Sequence, residues 1–357
     1  MKLVIKVGTQ SILSHNGEPF LEVMEHLVDQ IADLQQTNNH QIILVSSGAV
    51  SSGRKKANNL LKHNYGHSIA EKQVLAALGQ HELINLYSKL FKAQSLLTAQ
   101  LLLTKQDFQT RKHYLNISRL LEELLGQKNI IPVINENDSV AIEELMFTDN
   151  DELAGLIAAQ INADKLIILS NVDGVYTDSP EKEGAKLINQ IDPNNGWPDV
   201  STSKSLHGRG GMHSKLNTAK KAANLGITTH IAGISEQNIL KRILNGEHLG
   251  STILPNKKKS SIKRWIAYNM DKQRGRIYVN ERLNAILMEK QRAISLLPVG
   301  IERYDGSFKK GELVEIRNGK GDKIGVGIAR YDYNKLLEYI GKQDKPVFIH
   351  YDHLHIF

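Results

Sequence analysis

The sequence predicts an α/β fold in which helices cover both faces of a mainly parallel sheet. Short apolar runs, suited to buried strands, alternate with stretches whose apolar residues recur at helical spacing. The chain has 357 residues, 41% of them hydrophobic and 23% charged, which is sufficient for two or three domains with sizeable cores. Alternation of strands and helices is typical of parallel sheets buried between helices.

The predicted elements follow one another from the N-terminus. Residues 2–7 (KLVIKV) form the first strand, and apolar residues at helical spacing between 20 and 34 predict the first helix. The other predicted strands are 41–45, 96–103, 130–135, 166–170 and 227–232. The other predicted helices are 116–126, 151–162 and the segment after 214.

Composition excludes several classes of protein. The chain has no cysteine, which excludes disulfides, thiol catalysis and cysteine metal sites. No apolar run approaches the 18 or so residues of a membrane span, and Lys6 interrupts the apolar N-terminus, unlike a signal peptide. We therefore expect a cytoplasmic protein with no membrane partner.

Charge divides the chain in two. Residues 1–255 carry 24 Lys and Arg against 26 Asp and Glu, whereas residues 256–357 carry 21 against 12. We expect a first domain over 1–258, a basic linker over 259–264, and a second domain over 265–357 whose alternating strands indicate an all-β module. The positive charge of the second domain is compatible with nucleic-acid binding.

Polar clusters follow four of the predicted strands. They are Lys6–Thr9, Ser46–Ala49, Asn135–Asp138 and Ser170–Asn171. Ligands of open α/β sheets bind outside the carboxyl ends of the strands, so these clusters predict a site at that edge.

A glycine-rich turn, GRGGMHSK at 208–215, precedes a predicted helix. Glycines let backbone N–H groups converge on a ligand, the helix N-terminus adds a partial positive charge, and Lys215 adds a full one. The turn therefore predicts an anion site, although a mobile surface loop has the same composition.

The chemistry that fits these parts is phosphoryl transfer. Neither G-x-x-x-x-G-K-[ST] nor a G-x-G-x-x-G after the first strand occurs, which argues against P-loop enzymes and dehydrogenases. Two lysines, glycine backbone and the cluster Asp149–Asp151 can neutralise and position a transferred phosphoryl group. A buried carboxylate between the two lysines would hold their ammonium groups in place.

The ordered motifs KVGT, SSGAV, VINENDSVA, TDND, LSNVDGVYT and GRGGMHSK resemble the amino acid kinase family over residues 1–255. The motif NEND, followed by DND, is similar to the corresponding motifs of the family members that act on glutamate. The resemblance implies a three-layer αβα sandwich. It also implies ATP-dependent phosphorylation of the side-chain carboxylate of L-glutamate, as in the first step of proline biosynthesis.

The resemblance assigns roles residue by residue. Lys6, Asp151 and Lys215 match catalytic positions, with Asp151 orienting both lysines, and Ser47, Asp138 and Asn150 match glutamate-binding positions. The ATP-binding positions are Lys6, Ser170, Asn171, Arg209, Gly210, Gly211, Met212, His213, Ser214 and Lys215. Arg209 and Asn171 depart from the family pattern, which has a small residue and an aspartate there, and this puts nucleotide affinity in question.

Some of these residues also fit structural roles. Asp151 could be only a helix N-cap before ELAGLIAAQI, and Ser47 and Asn150 could be turn residues. Lys6 is harder to explain in this way, because a charge at the end of a buried strand is costly without a partner. We expect His213 to be a solvated neighbour and not an acid or base.

The C-terminal part resembles a PUA domain through SLLPVGI, FKKGELVEI and IGVGIARYD between about 265 and 345. The two resemblances together imply ATP as co-substrate, Mg²⁺ held mainly by the ATP phosphates and no protein metal site. They also imply a homo-oligomer, handover of the product to glutamyl phosphate reductase, and proline as a feedback inhibitor. Two alternatives stay open: an RNA-binding protein with a vestigial kinase domain, and a kinase of another small acid.

Overall fold

A computed structural model describes residues 1–62, 65–108, 111–140, 147, 149–198, 211–256, 275–289 and 294–357. The chain divides into two compact units. The first comprises 1–107 and 116–258, and the second comprises 108–115 and 259–357. The predicted linker 259–264 lies outside the described residues, so the domain boundaries stay a prediction.

The first unit is built on an eight-stranded sheet with the order β3-β4-β2-β1-β5-β7-β8-β6. Its strands are β1 (Lys2–Val7), β2 (Gln41–Ser46), β3 (Leu97–Leu103), β4 (Ile130–Glu136), β5 (Lys165–Ser170), β6 (Gln190–Ile191), β7 (Thr228–Gly233) and β8 (Ser251–Ile253). All neighbours pair in parallel except β7 and β8, which are antiparallel. The predicted mainly parallel sheet is therefore confirmed.

The helices of this part of the chain are α1 (Thr9–Ile12), α2 (Leu21–Gln36), α3 (Ala49–Leu60), α4 (Ile69–Ala93), α5 (Arg111–Gly126), α6 (Asn150–Ile161), α7 (Met212–Ala223) and α8 (Ile239–Leu244). Leu3, Ile5 and Val7 share a buried cluster with residues of α2 and α8. Side chains alternate across a strand, so Lys6 faces the opposite side, where it contacts α6. Helices thus cover both faces, which confirms the three-layer arrangement.

Helices α3 and α4 are elements that the sequence reasoning did not predict. Helix α3 is mostly polar (AVSSGRKKANNL), so its apolar periodicity is weak. Helix α4 did carry a signal, because Leu75, Gly79, Leu83, Tyr87 and Phe91 are buried at four-residue intervals along it. These two helices form one wall of the site described below.

The second unit contains a five-stranded sheet with the order β10-β9-β11-β12-β13. Its strands are β9 (Gly275–Val279), β10 (Ile301–Gly306), β11 (Leu313–Arg317), β12 (Lys323–Ile328) and β13 (Leu354–Ile356). Aromatic residues such as Phe308 and Phe348 fill its core. Two short helices, α9 (Glu281–Met288) and α10 (Tyr333–Tyr339), add to the predicted all-β module, which remains mostly strand.

Candidate active site

The site begins at the carboxyl ends of three adjacent strands. Val7 of β1 pairs with Ser46 of β2 on one side and with Leu169 of β5 on the other. The polar residues that follow these strands therefore start side by side. The sequence prediction that they converge at one edge of the sheet agrees with this register.

Lys6 is the next-to-last residue of β1, one position before that edge. Its side chain is buried, and its Nζ lies 2.6 Å from Oδ1 of Asp151. Lys215, the fourth residue of α7, is buried as well, and its Nζ lies 2.8 Å from Oδ2 of the same carboxylate. Each oxygen of Asp151 thus holds one ammonium group.

Asp151 is fully buried, and its ionisation depends on these two contacts. Burial by itself would raise the pKa of this carboxyl group, but the charges of Lys6 and Lys215 outweigh burial and hold the pKa below its usual value. The cluster is therefore a carboxylate and two cations, with one positive charge in excess. An excess cation at the end of a strand is suited to binding a phosphate.

The N-cap of α6 is Asp149 and not Asp151. Its side chain accepts hydrogen bonds from the backbone N–H groups of Asp151 at 2.9 Å and Glu152 at 3.1 Å. Burial and the neighbouring Asp151 carboxylate raise the pKa of Asp149. The structural alternative for Asp151, a simple helix cap, is therefore wrong, because the adjacent aspartate performs that function.

Asn150 links this cluster to the second strand. Its Nδ2 donates to Oγ of Ser47 at 2.8 Å, to the carbonyl oxygen of Ser46 at 3.1 Å and to Oδ1 of Asn135 at 2.8 Å. Its own Oδ1 is buried and has no hydrogen-bond partner among the residues that the structure describes. An unpaired buried acceptor costs free energy, so it is a natural binding point for a donor on a ligand.

The chain turns sharply between Ser47 and α3. Gly48 has φ = 115°, and a Cβ at this position would lie 2.7 Å from Cδ1 of Leu13. Only glycine fits both restrictions without strain. The SSGAV motif is therefore a turn that brings Ser47 to the edge of the sheet.

A cavity of about 330 Å³ lies beside this network, and Asp138 is one of the residues that line it. Asp138 stands in the turn after β4, two residues beyond its last residue, Glu136. Ala49, Gln80 and Gln100 contribute to the same lining. The cavity is large enough for an amino acid and has a carboxylate on its wall.

The predicted nucleotide side is described in part. Ser170 is buried at the end of β5, and the exposed Asn171 donates to Oε1 of Gln10 at 3.5 Å. Gly211 is the N-cap of α7, so Met212, His213 and Ser214 form its first turn, with His213 exposed. Arg209 and Gly210 lie outside the described residues, and their roles stay a prediction.

Sequence reasoning missed three residues at this site. Asn135 and Asp149 stood within motifs that were recognised, yet neither was given a contact. The third, Gln80, accepts a hydrogen bond of 2.8 Å from Nδ2 of Asn135. The polar end of β4 was a usable signal for Asn135, whereas Gln80 belongs to a helix that was not predicted.

Within the described ranges, no group of three or more histidine, aspartate or glutamate side chains is placed to hold a metal ion. None of the described helices combines the length and the apolar character needed to cross a bilayer.

Comparison with known proteins defines the class of protein. Residues 1–233 match the amino acid kinase family, and residues 275–347 match the PUA domain. The chain therefore belongs to the amino acid kinase family and carries a PUA domain, as the sequence motifs predicted.

Within this family, the chain is similar to proteins that are named after one activity. The chain is 44% identical to a protein named glutamate 5-kinase from Chlorobaculum tepidum, over 99% of this chain and 97% of that protein. It is 40% identical to a glutamate 5-kinase from Bacteroides thetaiotaomicron, over 99% of this chain and 98% of that protein. Among solved structures, a UMP kinase from Bacillus anthracis aligns at 17% identity with a TM-score of 0.48, over 72% of this chain and 96% of that one.

Proposed function

We propose that this protein is an ATP-dependent kinase that phosphorylates the side-chain carboxylate of L-glutamate to give L-glutamyl 5-phosphate. The observation that carries the proposal is the buried Asp151 carboxylate with Lys6 at 2.6 Å and Lys215 at 2.8 Å. Support comes from the relatives named glutamate 5-kinase, which match nearly the whole chain. They give no support to an RNA-binding protein with a vestigial kinase domain.

The chemistry needs no general base. A glutamate carboxylate is already ionised at neutral pH, because its usual pKa is about 4.3. One of its oxygens bonds to the γ-phosphorus of ATP, and the bond from that phosphorus to the bridging oxygen breaks, which releases ADP. Negative charge on the transferred group is stabilised by the ammonium groups of Lys6 and Lys215.

Asp151 contributes by fixing both lysines before the substrates bind. A side chain of lysine has several freely rotating bonds, and ordering it costs conformational entropy. Each Nζ is already held by one oxygen of the buried carboxylate. The charges therefore need little reorganisation during the reaction, which is the main source of electrostatic catalysis.

The substrate side offers complementary groups for an amino acid. Because Ser47 accepts the proton of Asn150, its own hydroxyl hydrogen is left to be donated, and a substrate carboxylate can accept it. Oδ1 of Asn150 can accept an N–H donor. The Asp138 carboxylate on the cavity wall is suited to the substrate ammonium group.

ATP is expected to bind at the N-terminus of α7 and the end of β5, through Ser170, Asn171 and the segment Arg209–Lys215. Magnesium held mainly by the ATP phosphates would neutralise part of their charge. The acyl phosphate product is prone to hydrolysis, so transfer to glutamyl phosphate reductase is part of the proposal. A cytoplasmic homo-oligomer inhibited by proline also remains a proposal.

The test is ATP turnover by the full chain with L-glutamate, compared with aspartate, acetylglutamate and RNA. Hydroxylamine traps an acyl phosphate as a hydroxamate, which identifies the acceptor as a carboxylate. We expect hydroxamate formation with glutamate alone among these compounds. Equal turnover with another acid would refute glutamate as the specific substrate. No turnover with any acid would refute the kinase function.

A further inference from the structure

Gln80 lies on α4, a helix that carries none of the residues assigned to glutamate binding. It lines the cavity that contains Asp138, and its Oε1 accepts a 2.8 Å hydrogen bond from Asn135. Asn135 in turn accepts from Asn150, which donates to Ser47. We infer that Gln80 is a positioning residue for the amino-acid substrate, because it anchors this chain of amides. The inference rests on the proposed function.

Two backbone groups fix the direction of the hydrogen bonds that join these amide side chains. The backbone N–H of Glu136 can only donate, and it donates to Oδ1 of Asn135 at 2.9 Å. The carbonyl oxygen of Ser46 can only accept, so Nδ2 of Asn150 must face it. The amino group of Asn135 is therefore left pointing at α4, and the acceptor that it finds there is Gln80.

Removing that acceptor leaves the Asn135 amino group buried without its partner, since Asn135 is only 2% exposed. The carboxamide can relieve this only by turning, and turning it breaks the bonds to Glu136 and Asn150. Asn150 then loses one of the contacts that aim its own oxygen. We therefore expect the effect in glutamate binding, because no hydrogen bond or ion pair among the described residues joins Gln80 to Lys6, Asp151 or Lys215.

The place of Gln80 is set by the residue before it. A Cβ at Gly79 would lie 1.8 Å from the carbonyl oxygen of Ala49 and 2.3 Å from the backbone nitrogen of Gly53. Glycine here lets α4 pack directly on the first turns of α3. Helix α3 begins at Ala49, two residues after Ser47, so α4 packs close to both ends of the amide chain.

The experiment compares Gln80→Met with Gln80→Glu in the full chain. Methionine keeps the length and removes the acceptor, whereas glutamate keeps an acceptor oxygen. A lost bond to a buried amide predicts a rise of about tenfold in the KM for glutamate with Q80M. We expect the KM for ATP to stay within about twofold, and Q80E to recover most of the glutamate affinity.

The matched control is Gln35→Met. Gln35 is also a glutamine with buried hydrogen bonds, but its Nε2 donates to the carbonyl oxygens of Lys128 and Ile130, at the start of β4 and away from the site. Q35M should lower stability and leave both KM values unchanged. Gln80→Ala serves as a second variant with the same expectation as Q80M if the latter does not fold.

The inference is overturned if folded Q80M or Q80A keeps the wild-type KM for glutamate, if both KM values rise together, or if Q35M has the same effect. It is also overturned if Q80E behaves as Q80M does. A wild-type protein without glutamate-dependent turnover is a different result, because it refutes the proposed function itself.

Discussion

Replacing Asp151 by asparagine removes the carboxylate that both buried lysines contact, and it changes the shape of the side chain very little. In the wild-type protein Lys6 and Lys215 are only 5% and 8% exposed, so water compensates poorly for a lost counter-charge. The variant keeps an oxygen for one ammonium group and turns an amino group towards the other. Two like charges then share a buried site without the anion between them.

The expected loss of stability follows from that geometry. Breaking a buried ion pair by removing one partner costs about 3–5 kcal/mol. We expect Asp151→Asn to fall in this range and not at twice its value, because a lysine left without its partner can lose its proton. Turnover should fall by about 10²–10³-fold, since charges that are no longer preorganised stabilise the transferred group less.

The sign of the pH dependence provides an independent check. The pKa of Asp151 is lowered in the folded protein, so its contribution to stability is present above the ordinary value, near 3.9, and is lost as pH falls towards the folded pKa. The unfolding curves of wild type and Asp151→Asn should therefore be furthest apart near pH 7 and approach each other below about pH 4.

Urea unfolding between pH 3 and 7 or so, with glutamate-dependent ADP release at pH 7, measures both effects. Asp178→Asn is the control, because Asp178 forms an exposed ion pair with Lys182 and its loss should leave stability and turnover unchanged. An Asp151→Asn protein as stable as wild type at neutral pH, with turnover reduced less than about tenfold, would refute the reasoning.

Three further outcomes are expected. Lys6→Ala and Lys215→Ala should each lower turnover by about 10²–10³-fold in a protein that stays folded by circular dichroism; near-normal turnover would remove that lysine from the mechanism. Asp138→Ala should raise the KM for glutamate strongly and leave the KM for ATP almost unchanged. An equal rise of both KM values would give Asp138 a structural role. Arg209→Thr should instead change the KM for ATP. Any RNA affinity of the full chain should disappear between about 50 and 200 mM salt in a filter-binding assay, and sequence-selective binding at the higher salt concentration would favour the RNA alternative.

The sequence by itself determined the layered α/β fold and most of the residues at the site. Strands such as β1 and β4 are short apolar runs, and the polar residues that end them are visible without any structure. Parallel strands place their carboxyl ends at one edge, so Lys6, Ser47 and Asn135 were expected at the same edge, whereas the structure decided that their strands are neighbours. The ordered motifs then indicated the amino acid kinase family, which the comparison confirms.

Tertiary structure alone decided which of these side chains touch. Local periodicity relates residues three or four apart, whereas Lys215 and Asp151 are 64 positions apart and Asn150 and Ser47 are 103 apart. No local pattern states that the helix cap is Asp149 or that both lysines converge on Asp151. Gln80 was out of reach for the same reason: its partner Asn135 is 55 positions away, and Gly79 places it by packing against α3, a contact between two helices that local periodicity does not relate.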